Sequence, residues 1–289
     1  PPKPHMNFCT VLPMVKPTLS QAHVPLVAES HATDAQGRVQ VVHIPEERPL
    51  TIYVNRRELV TLMTLGAHAE WLVLGWLRNQ RLALSLDEIH SIQVDWEVSS
   101  AAVVADEAVV ARWETASQQR LVTTGCGQGA HHGPFLQEVV TEPLPHARIS
   151  KAALIELIAQ VRGLQTLYKQ AGSVHGCGLF EGNELLLWVE DVGRHNAVDA
   201  MSGWMWMNEA NGHDLIFYTT GRLTSEMVIK SALMGIPFLL SRSGVTRMGL
   251  DMARQVHMTL ISRCVGEHFL IHHGQERVAL DPQPFLETS

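Results

Sequence analysis

The 289-residue sequence has no apolar run that approaches the roughly 20 residues of a membrane-spanning helix. It also lacks the charged-then-apolar pattern of a signal peptide at its start. An excess of basic residues is missing too, because the formal net charge is −7. These absences argue against a membrane protein and against general nucleic-acid binding. We expect a globular protein of the cytoplasm with one or two domains.

Cysteine and lysine are scarce. The four cysteines are far apart in the sequence, at Cys9, Cys126, Cys177 and Cys264. This spacing argues against a disulfide framework and fits a reducing compartment. Of the 22 basic residues, 5 are lysines and 17 are arginines, the residue type that binds phosphate and carboxylate groups through a planar fork. A high-GC genome explains the same bias, so only the positions of individual arginines add weight.

One thiol lies in a glycine-rich segment. Cys126 is flanked by Gly125 and Gly127, with Gly129 two residues further on, in a segment without helical or strand periodicity. Glycines remove side-chain bulk and allow positive φ, so the backbone can turn sharply and present the sulfur to another molecule. The pattern predicts that the chemistry of this protein begins at Cys126.

The sequence divides into an arm and two folded units. Residues 1–45 are rich in proline, alanine and polar residues and show no sustained periodicity, which predicts a flexible N-terminal arm. Residues 46–146 predict an α+β subdomain that contains the Cys126 loop, and residues 147–289 an α/β domain. The elements expected in the first unit are strands over 49–54, 58–63, 91–98 and 108–113 and a helix over 67–78.

The second unit alternates strands and helices. A long helix is predicted from an N-cap at Ser150 to a stop at Gly172. The other expected elements are strands over 173–180, 184–189, 215–219, 237–241, 258–262 and 269–272, and helices over 196–207, 225–234 and 246–257. The alternation predicts a partly parallel sheet with helices on both faces.

Three polar loops follow strands of this sheet. They span residues 190–196, 219–226 and 241–247, and each has a glycine, a hydroxyl or carboxylate, and an arginine just before a helix. In such sheets, ligands bind at the carboxyl ends of the strands, where loops lead into helix N-termini. The loops therefore predict a site for a large anion. The alternative is a set of ordinary turns, capped by Thr246 or held by a hydrogen-bonded His195.

Sixteen histidines raise the question of a metal site. The triplet His68-Ala69-Glu70 together with Cys126 has part of the zinc deaminase signature. The second half of that signature is Pro-Cys-x-x-Cys, and here a single cysteine is present, so we expect no catalytic zinc. Of the other thiols, Cys177 is expected to be a buried small residue in a strand, and Cys264 to lie in a turn close to a ligand.

Several motifs follow one another in a fixed order between about residues 46 and 273. The most specific is the run Glu190-Asp191-Val192-Gly193-Arg194-His195-Asn196-Ala197-Val198-Asp199. The others are Glu46-Glu47-Arg48-Pro49-Leu50, Thr124-Gly125-Cys126-Gly127, His175 with Leu179-Phe180, and Gly221-Arg222 through Ser225-Glu226-Met227 to Lys230-Ser231-Ala232. Together they resemble the FdhD family, the formate dehydrogenase accessory sulfurtransferases.

The resemblance implies a fold and a function. The fold is α/β, with a cytidine-deaminase-like three-layer α/β/α C-terminal domain that lacks the deaminase zinc, and a smaller α+β N-terminal subdomain. The implied protein is a homodimer that takes sulfur from a cysteine desulfurase. It delivers this sulfur to the molybdenum or tungsten bis(molybdopterin guanine dinucleotide) cofactor before the cofactor enters the formate dehydrogenase catalytic subunit.

The resemblance also implies site residues. Family members carry the persulfide on the first cysteine of a Cys-x-x-Cys loop, and that position is Cys126 here. The cofactor-binding segment of the family matches, with divergent sequence, Arg263, Cys264, Val265, Gly266, Glu267 and His268. Because the cofactor is a polyanion, the polar loops add to this predicted set Arg194, His195, Arg222 and Arg242.

One position departs from the family pattern, because Gly129 stands where many members have the second cysteine. A lone thiolate can still accept a sulfane sulfur, since attack on a persulfide requires one accessible nucleophile. Two functions stay open: a sulfurtransferase with a Cys126 persulfide, and a non-catalytic chaperone that binds and delivers the cofactor. The Gly-Cys-Gly frame favours the first. A nucleotide hydrolase is disfavoured, because no general base paired with a metal can be assembled.

Overall fold

The computed structural model describes residues 16–117, 144–164 and 166–280. Residues 16–117 form a five-stranded sheet, a separate hairpin and two helices. The strands are β1 Thr18–Leu19, β2 Val27–Thr33, β3 Val39–Pro45, β4 Arg48–Val54, β5 Arg57–Thr64, β6 Ile89–Asp95 and β7 Ser100–Ala105. The helices are α1 Ala69–Asn79 and α2 Glu107–Ser117, with a 3-10 turn at Leu86–Glu88.

The five-stranded sheet has the order β1-β6-β7-β4-β5, with β4 parallel to β7 and antiparallel to β5. Leu50, Ile52 and Val54 of β4 are fully buried, whereas the residues between them are partly exposed. Alternate side chains of a strand point to opposite faces, so one face of the sheet packs into the core and the other meets solvent.

The second half contains a six-stranded sheet, a short two-stranded ribbon and five helices in the described residues. The strands are β8 Ile149–Ser150, β9 His175–Glu181, β10 Glu184–Asp191, β11 Leu215–Thr219, β12 Phe238–Ser241, β13 Thr259–Val265, β14 His268–His273 and β15 Val278–Ala279. The helices are α3 Lys151–Gly163, α4 Leu167–Ala171, α5 Arg194–Met207, α6 Ser225–Leu233 and α7 Arg247–Gln255, with 3-10 turns at Gly212–Asp214 and Gln275–Arg277.

The six-stranded sheet has the order β10-β9-β11-β12-β13-β14. Strands β11, β12 and β13 are parallel, and β9 is antiparallel to both of its neighbours, so β10 runs in the same direction as β11. Leu179 and Phe217 pack into the core formed with α5, α6 and α7, whereas Phe180 and Tyr218 pack on the other face with α3. The predicted α/β class with helices on both faces is confirmed. The more specific cytidine-deaminase-like layering stays a prediction.

Helices α1 and α5 join the two halves at very close range. A Cβ atom added to Gly75 would lie 1.7 Å from the carbonyl oxygen of Asp199, and one added to Gly203 would lie 2.0 Å from that of Trp71. Glycine at both positions lets the two backbones touch. One hydrophobic core therefore extends from the five-stranded sheet to the six-stranded sheet. The predicted domain boundary near residue 146 stays a prediction.

The expectation of an arm without regular structure was wrong for residues 27–45, which form the β2–β3 hairpin. β-branched residues supply the missed signal, since Val39, Val41 and Ile44 are typical of strands. These three side chains are largely exposed, so backbone pairing rather than core packing holds the hairpin together. Residues 1–15 lie outside the described residues.

Two element predictions also need correction. The strand predicted over 108–113 is part of α2, because the buried Val109 and Val110 lie on one helical face and not on alternating positions. The single helix predicted from Ser150 to Gly172 is interrupted after Gly163, where Leu164 leaves the helical conformation with ψ 138°. Its ends were predicted correctly, because the Ser150 hydroxyl accepts a hydrogen bond from the Ala153 amide and Gly172 adopts a positive φ.

Candidate functional site

The three polar loops lie side by side at one edge of the six-stranded sheet. Strands β10, β11, β12 and β13 all end at this edge, and β9 and β14 begin there, as the register shows. The loops after β10, β11 and β12 lead into α5, α6 and α7. The predicted convergence of these loops at the carboxyl ends of the strands is therefore confirmed. We use the name strand edge for this region, which consists of the carboxyl ends of β10 to β13, the loops that follow them and the starts of β9 and β14.

Asp191 fixes the first loop from within. Its Oδ1 accepts hydrogen bonds from the Gly193 amide and from Asn196 Nδ2, each at 2.9 Å. Its Oδ2 accepts from the Thr64 hydroxyl at 2.5 Å and from the Leu65 amide at 3.1 Å. Burial raises the pKa of Asp191, and these four donors act against that shift. The carboxylate therefore holds the loop against the five-stranded sheet and has its oxygens occupied.

Glu190 has a similar internal role. Its two carboxylate oxygens accept hydrogen bonds from the Leu167 amide at 2.6 Å and the Tyr168 amide at 3.1 Å. These are free amides of the first turn of α4, where a negative charge is favourable. Glu190 thus holds α4 beside the strand edge.

Hydrogen bonds also connect the second and third loops. The Ser241 hydroxyl donates to the Gly221 carbonyl oxygen at 2.6 Å and accepts from the Ser243 amide at 2.8 Å. The Arg242 amide donates to the Thr219 carbonyl oxygen at 3.2 Å. The hydroxyls of these loops therefore hold the backbone in place, which fixes where the arginine side chains begin.

The predicted arginines differ in exposure. Arg222, Arg242 and Arg263 are exposed, whereas Arg194 is buried and its stem packs against Gly221. The Arg242 guanidinium lies over the ring of Tyr168, 5.3 Å from its centroid. Together these four side chains bring positive charge from four strand ends to the strand edge.

His175 is the first residue of β9, and the charges of these arginines influence its pKa. Burial lowers the pKa of His175, and the charges of Arg194, Arg222 and Arg242 lower it further. No role in the site was predicted for His175, because the arginines that act on it come from three separate loops.

His195 is placed near this group but is withdrawn from solvent, with 7% of its surface exposed. Its Nε2 lies 3.2 Å from Oε2 of Glu226, yet neither ring nitrogen meets the geometry of a hydrogen bond with the described residues. Burial, assisted by the charges of Lys230 and Arg194, lowers the pKa of His195 to about 2. The ring is therefore neutral near pH 7, and its contact with Glu226 is not an ion pair.

The predicted segment 263–268 ends β13 and forms the tight turn to β14. Arg263 has a positive φ of 56°, and its amide donates to the Ser243 carbonyl oxygen at 3.0 Å, which ties this strand end to the third loop. Cys264 is buried and is the penultimate residue of β13, so it precedes the turn that was predicted to contain it. Val265, Gly266, Glu267 and His268 are exposed.

A cavity of about 280 Å³ opens beside the strand edge. Trp188 and Tyr218 form apolar walls. Arg162, Lys169 and Arg242 add positive charge, and Glu190 adds one carboxylate. The predicted residues Cys264, Val265 and Gly266 also line it. The contribution of α4 to this cavity was not predicted, because residues 166–171 fell within the single helix predicted up to Gly172.

The two thiols in the described residues are not activated. Cys177 is fully buried in β9, as predicted, and Cys264 is 2% exposed. Burial raises the pKa of each thiol to about 12. Since the thiolate is the reactive form, neither is suited to take up sulfur. Cys126, the predicted persulfide carrier, and Gly129 lie outside the described residues.

In residues 16–117, 144–164 and 166–280, no three histidine, cysteine or carboxylate side chains come together as metal ligands. No helix in the same residues is long and apolar enough to cross a bilayer.

Comparison with known proteins gives the family. The family model described as FdhD/NarQ matches residues 45–279. The sulfur carrier protein FdhD of Bacillus pumilus is 30% identical over 248 residues, which are 85% of this chain and 94% of that protein. Its namesake from Bacillus subtilis is 30% identical over 251 residues, with 84% and 94% covered.

A solved structure agrees with this. The crystal structure of a protein described as a formate dehydrogenase accessory protein, from Desulfotalea psychrophila, superposes with a TM-score of 0.70 at 29% identity. The match covers 88% of this chain and 100% of that one. The chain therefore belongs to the FdhD/NarQ family.

Proposed function

We propose that this protein is a sulfur carrier in the maturation of formate dehydrogenase. Cys126 accepts a sulfane sulfur from a cysteine desulfurase and passes it to the Mo-bis(molybdopterin guanine dinucleotide) cofactor. The strand edge holds this cargo before it enters the formate dehydrogenase catalytic subunit. The proposal includes a homodimer in the cytoplasm, as the family resemblance implies. The names of the relatives support the sulfur-carrier and accessory roles.

The observation that carries the proposal is the arginine cluster beside the cavity. The cargo has two pyrophosphate groups and planar rings, and guanidinium groups bind phosphate oxygens in pairs. The charges of Arg194, Arg222 and Arg242 all contribute to lowering the pKa of His175, so the three side chains lie around one position. Trp188 and Tyr218 offer aromatic walls in the cavity that Arg242 also lines. A cavity of about 280 Å³ has room for one ring system, so the rest of the cargo would lie along the exposed edge.

The uptake step requires one nucleophile. The Cys126 thiolate attacks the outer sulfur of the desulfurase persulfide, the sulfur–sulfur bond breaks, and the desulfurase cysteine leaves as a thiolate. The new persulfide carries sulfur at the oxidation level of the element. Cys177 and Cys264 cannot replace Cys126 in this step, because both are buried with a pKa of about 12.

Release of the sulfur as hydrosulfide requires two electrons. A second cysteine three residues on could supply them by forming a disulfide with the first, but that position is Gly129. In this chain an external thiol would therefore attack the inner sulfur of the Cys126 persulfide. Hydrosulfide leaves, a mixed disulfide forms on Cys126, and a second external thiol reduces it.

The second candidate function is a chaperone that binds and delivers the cofactor without sulfur transfer. The same arginine edge supports it, and Gly129 favours it, because a resolving thiol is missing from the loop. The two candidates differ in what happens to Cys126 and agree about the binding of the cargo.

Mass spectrometry separates the two. After incubation with a cysteine desulfurase and cysteine, we expect the protein to gain one sulfur atom on Cys126, because an accessible thiolate exchanges readily with a persulfide. Cys9→Ala should gain the same atom, and Cys126→Ala should not. An unmodified Cys126 in a protein that still binds the cofactor would leave the chaperone as the function.

A further inference from the structure

His175 occupies the middle of the strand edge. It begins β9, which lies between β10 and β11 in the sheet, and it pairs with Asp191 in the register. The next residue, Gly176, donates its amide to the Thr220 hydroxyl at 3.0 Å and accepts from the Thr220 amide at 2.9 Å. These bonds hold the loop after β11 against the start of β9. The half-buried His175 therefore begins its strand between the loop that contains Arg194 and the loop that contains Arg222.

The charges that act on this ring are positive. They come from Arg194 at the start of α5 and from Arg222 and Arg242 in the next two loops, and together with burial they lower the pKa of His175. His195, on α5, is neutral. The carboxylates of the neighbouring strand end are held in place by other groups, Glu190 by two amides of α4 and Asp191 by four donors.

An anion bound to the arginines would change the state of this histidine. Phosphate oxygens cancel the positive field around the ring, and the imidazole can then take a proton from solvent and donate a further charge-assisted hydrogen bond. We propose that His175 couples the binding of a phosphate-bearing ligand at the strand edge to the uptake of one proton. The inference rests on the proposed function, because that function makes the ligand of this edge a phosphate-bearing cargo.

The direction of the pH dependence follows from linkage. The pKa of His175 is higher with ligand than without it, so ligand binds more tightly as the pH falls through the pKa of the bound form. Between the pKa of His175 in the bound protein and its lower pKa in the free protein, the affinity rises by up to about tenfold for each pH unit of decrease. Below the pKa of the free protein, His175 is protonated in both states and adds no further change in affinity.

Calorimetry with pyrophosphate as the probe tests the coupling. Titrations at one pH in two buffers of different ionisation enthalpy give the number of protons taken up on binding. Wild type should take up more protons than His175→Asn, by a difference of up to about one per site. Protonation of pyrophosphate itself is common to both proteins and cancels. His213→Asn, an exposed histidine before β11 at the opposite edge, should match wild type.

A nuclear magnetic resonance titration of the His175 ring supplies the second measurement. The signal is assigned by its absence from His175→Asn. Saturating pyrophosphate should raise the pKa of this ring, and Arg222→Gln should raise it in the free protein. Equal proton uptake by wild type and His175→Asn, or a ring that does not respond to pyrophosphate, would overturn the inference.

The outcomes also separate this inference from the proposed function. Pyrophosphate binding without proton uptake at His175 would refute the coupling and leave sulfur transfer by Cys126 intact. A Cys126 that takes up no sulfur would refute the carrier and leave the coupling intact. No binding of pyrophosphate to wild type would refute both the coupling and the placement of the cargo.

Discussion

Lys230 and Asp199 form an ion pair that is almost fully withdrawn from solvent. Their side chains are 6% and 1% exposed, and Nζ lies 2.8 Å from Oδ2. Asn79 donates to the other carboxylate oxygen at 2.7 Å, which connects α1, α5 and α6 through one buried group. Both charged residues belong to family motifs, and their described contacts serve the packing of helices. Burial raises the pKa of Asp199, and the charge of Lys230 opposes that shift.

Lys230→Met should destabilise the protein by about 3–5 kcal/mol, because it leaves a buried carboxylate without its counter-charge. Urea unfolding at pH 7 measures the loss. Lys16→Met is the matched control, since Lys16 pairs with Glu209 at the surface and its removal should cost at most about 1 kcal/mol. Adding Asp199→Asn to Lys230→Met should recover part of the loss. Equal effects of the two lysine substitutions would contradict this role.

The neutral state of His195 makes stability depend on pH. The folded protein holds the pKa of this ring at about 2, whereas the unfolded chain takes up a proton near the ordinary value of 6.5. Stability therefore falls as the pH drops below about 6.5, by up to about 1.4 kcal/mol per pH unit from this group. Urea unfolding at several pH values between 7 and 5 gives the free energy of unfolding as a function of pH. This free energy should fall less steeply with decreasing pH in His195→Gln than in wild type, and His213→Gln should match wild type. The same pH dependence in wild type and in both variants would refute the assignment.

At the scale of elements, the packing of α1 on α5 fixes the strand edge relative to the five-stranded sheet. Gly75 and Gly203 allow the two backbones to touch, and α5 begins in the first polar loop with Arg194. Asp191 adds hydrogen bonds from the same loop to Thr64 and Leu65. The position of the arginines thus depends on helix packing as well as on the loops themselves.

Gly203→Ala should destabilise the protein by about 1–3 kcal/mol or more, because the new methyl group overlaps the Trp71 carbonyl oxygen. Thermal or urea unfolding measures the change. Gly163→Ala, the last residue of α3, has nothing within 4 Å of the added methyl group and should cause no loss. A Gly203→Ala protein as stable as wild type would mean that α1 and α5 are further apart than described.

For two elements with a clear apolar periodicity, the sequence predicted the bounds to within one residue. It did not predict the hydrogen bonds between residues that are distant in the sequence. The strand over 49–54 and the helix over 225–234 correspond to β4 and α6 within one residue at each end, because apolar spacing determines both. The β2–β3 hairpin was missed, because its exposed valines have no alternating buried pattern. The strand edge was predicted from topology alone. Its internal bonds were not, since Thr64 and Asp191 are distant in sequence.

At the scale of the whole molecule, the proposed carrier binds its cargo and takes up its sulfur at different places. In this proposal the arginines and the cavity bind the cargo, and the glycine-framed Cys126 carries the sulfur, because Cys177 and Cys264 are buried. A carrier with a single thiol in its loop needs an external thiol to release the sulfur, whereas a Cys-x-x-Cys loop contains the attacking thiol itself. Both kinds of loop are left oxidised and need an external reductant to be used again.

Complementation tests the central claim most directly. In cells that lack the native protein, Cys126→Ala should fail to restore formate dehydrogenase activity, because no persulfide can form at that position. Cys9→Ala, produced at the same level, should restore it. The measurement is the formate dehydrogenase activity of the cell extract, with the amount of each variant checked by immunoblot. Full restoration by Cys126→Ala would contradict sulfur transfer as the function of this protein.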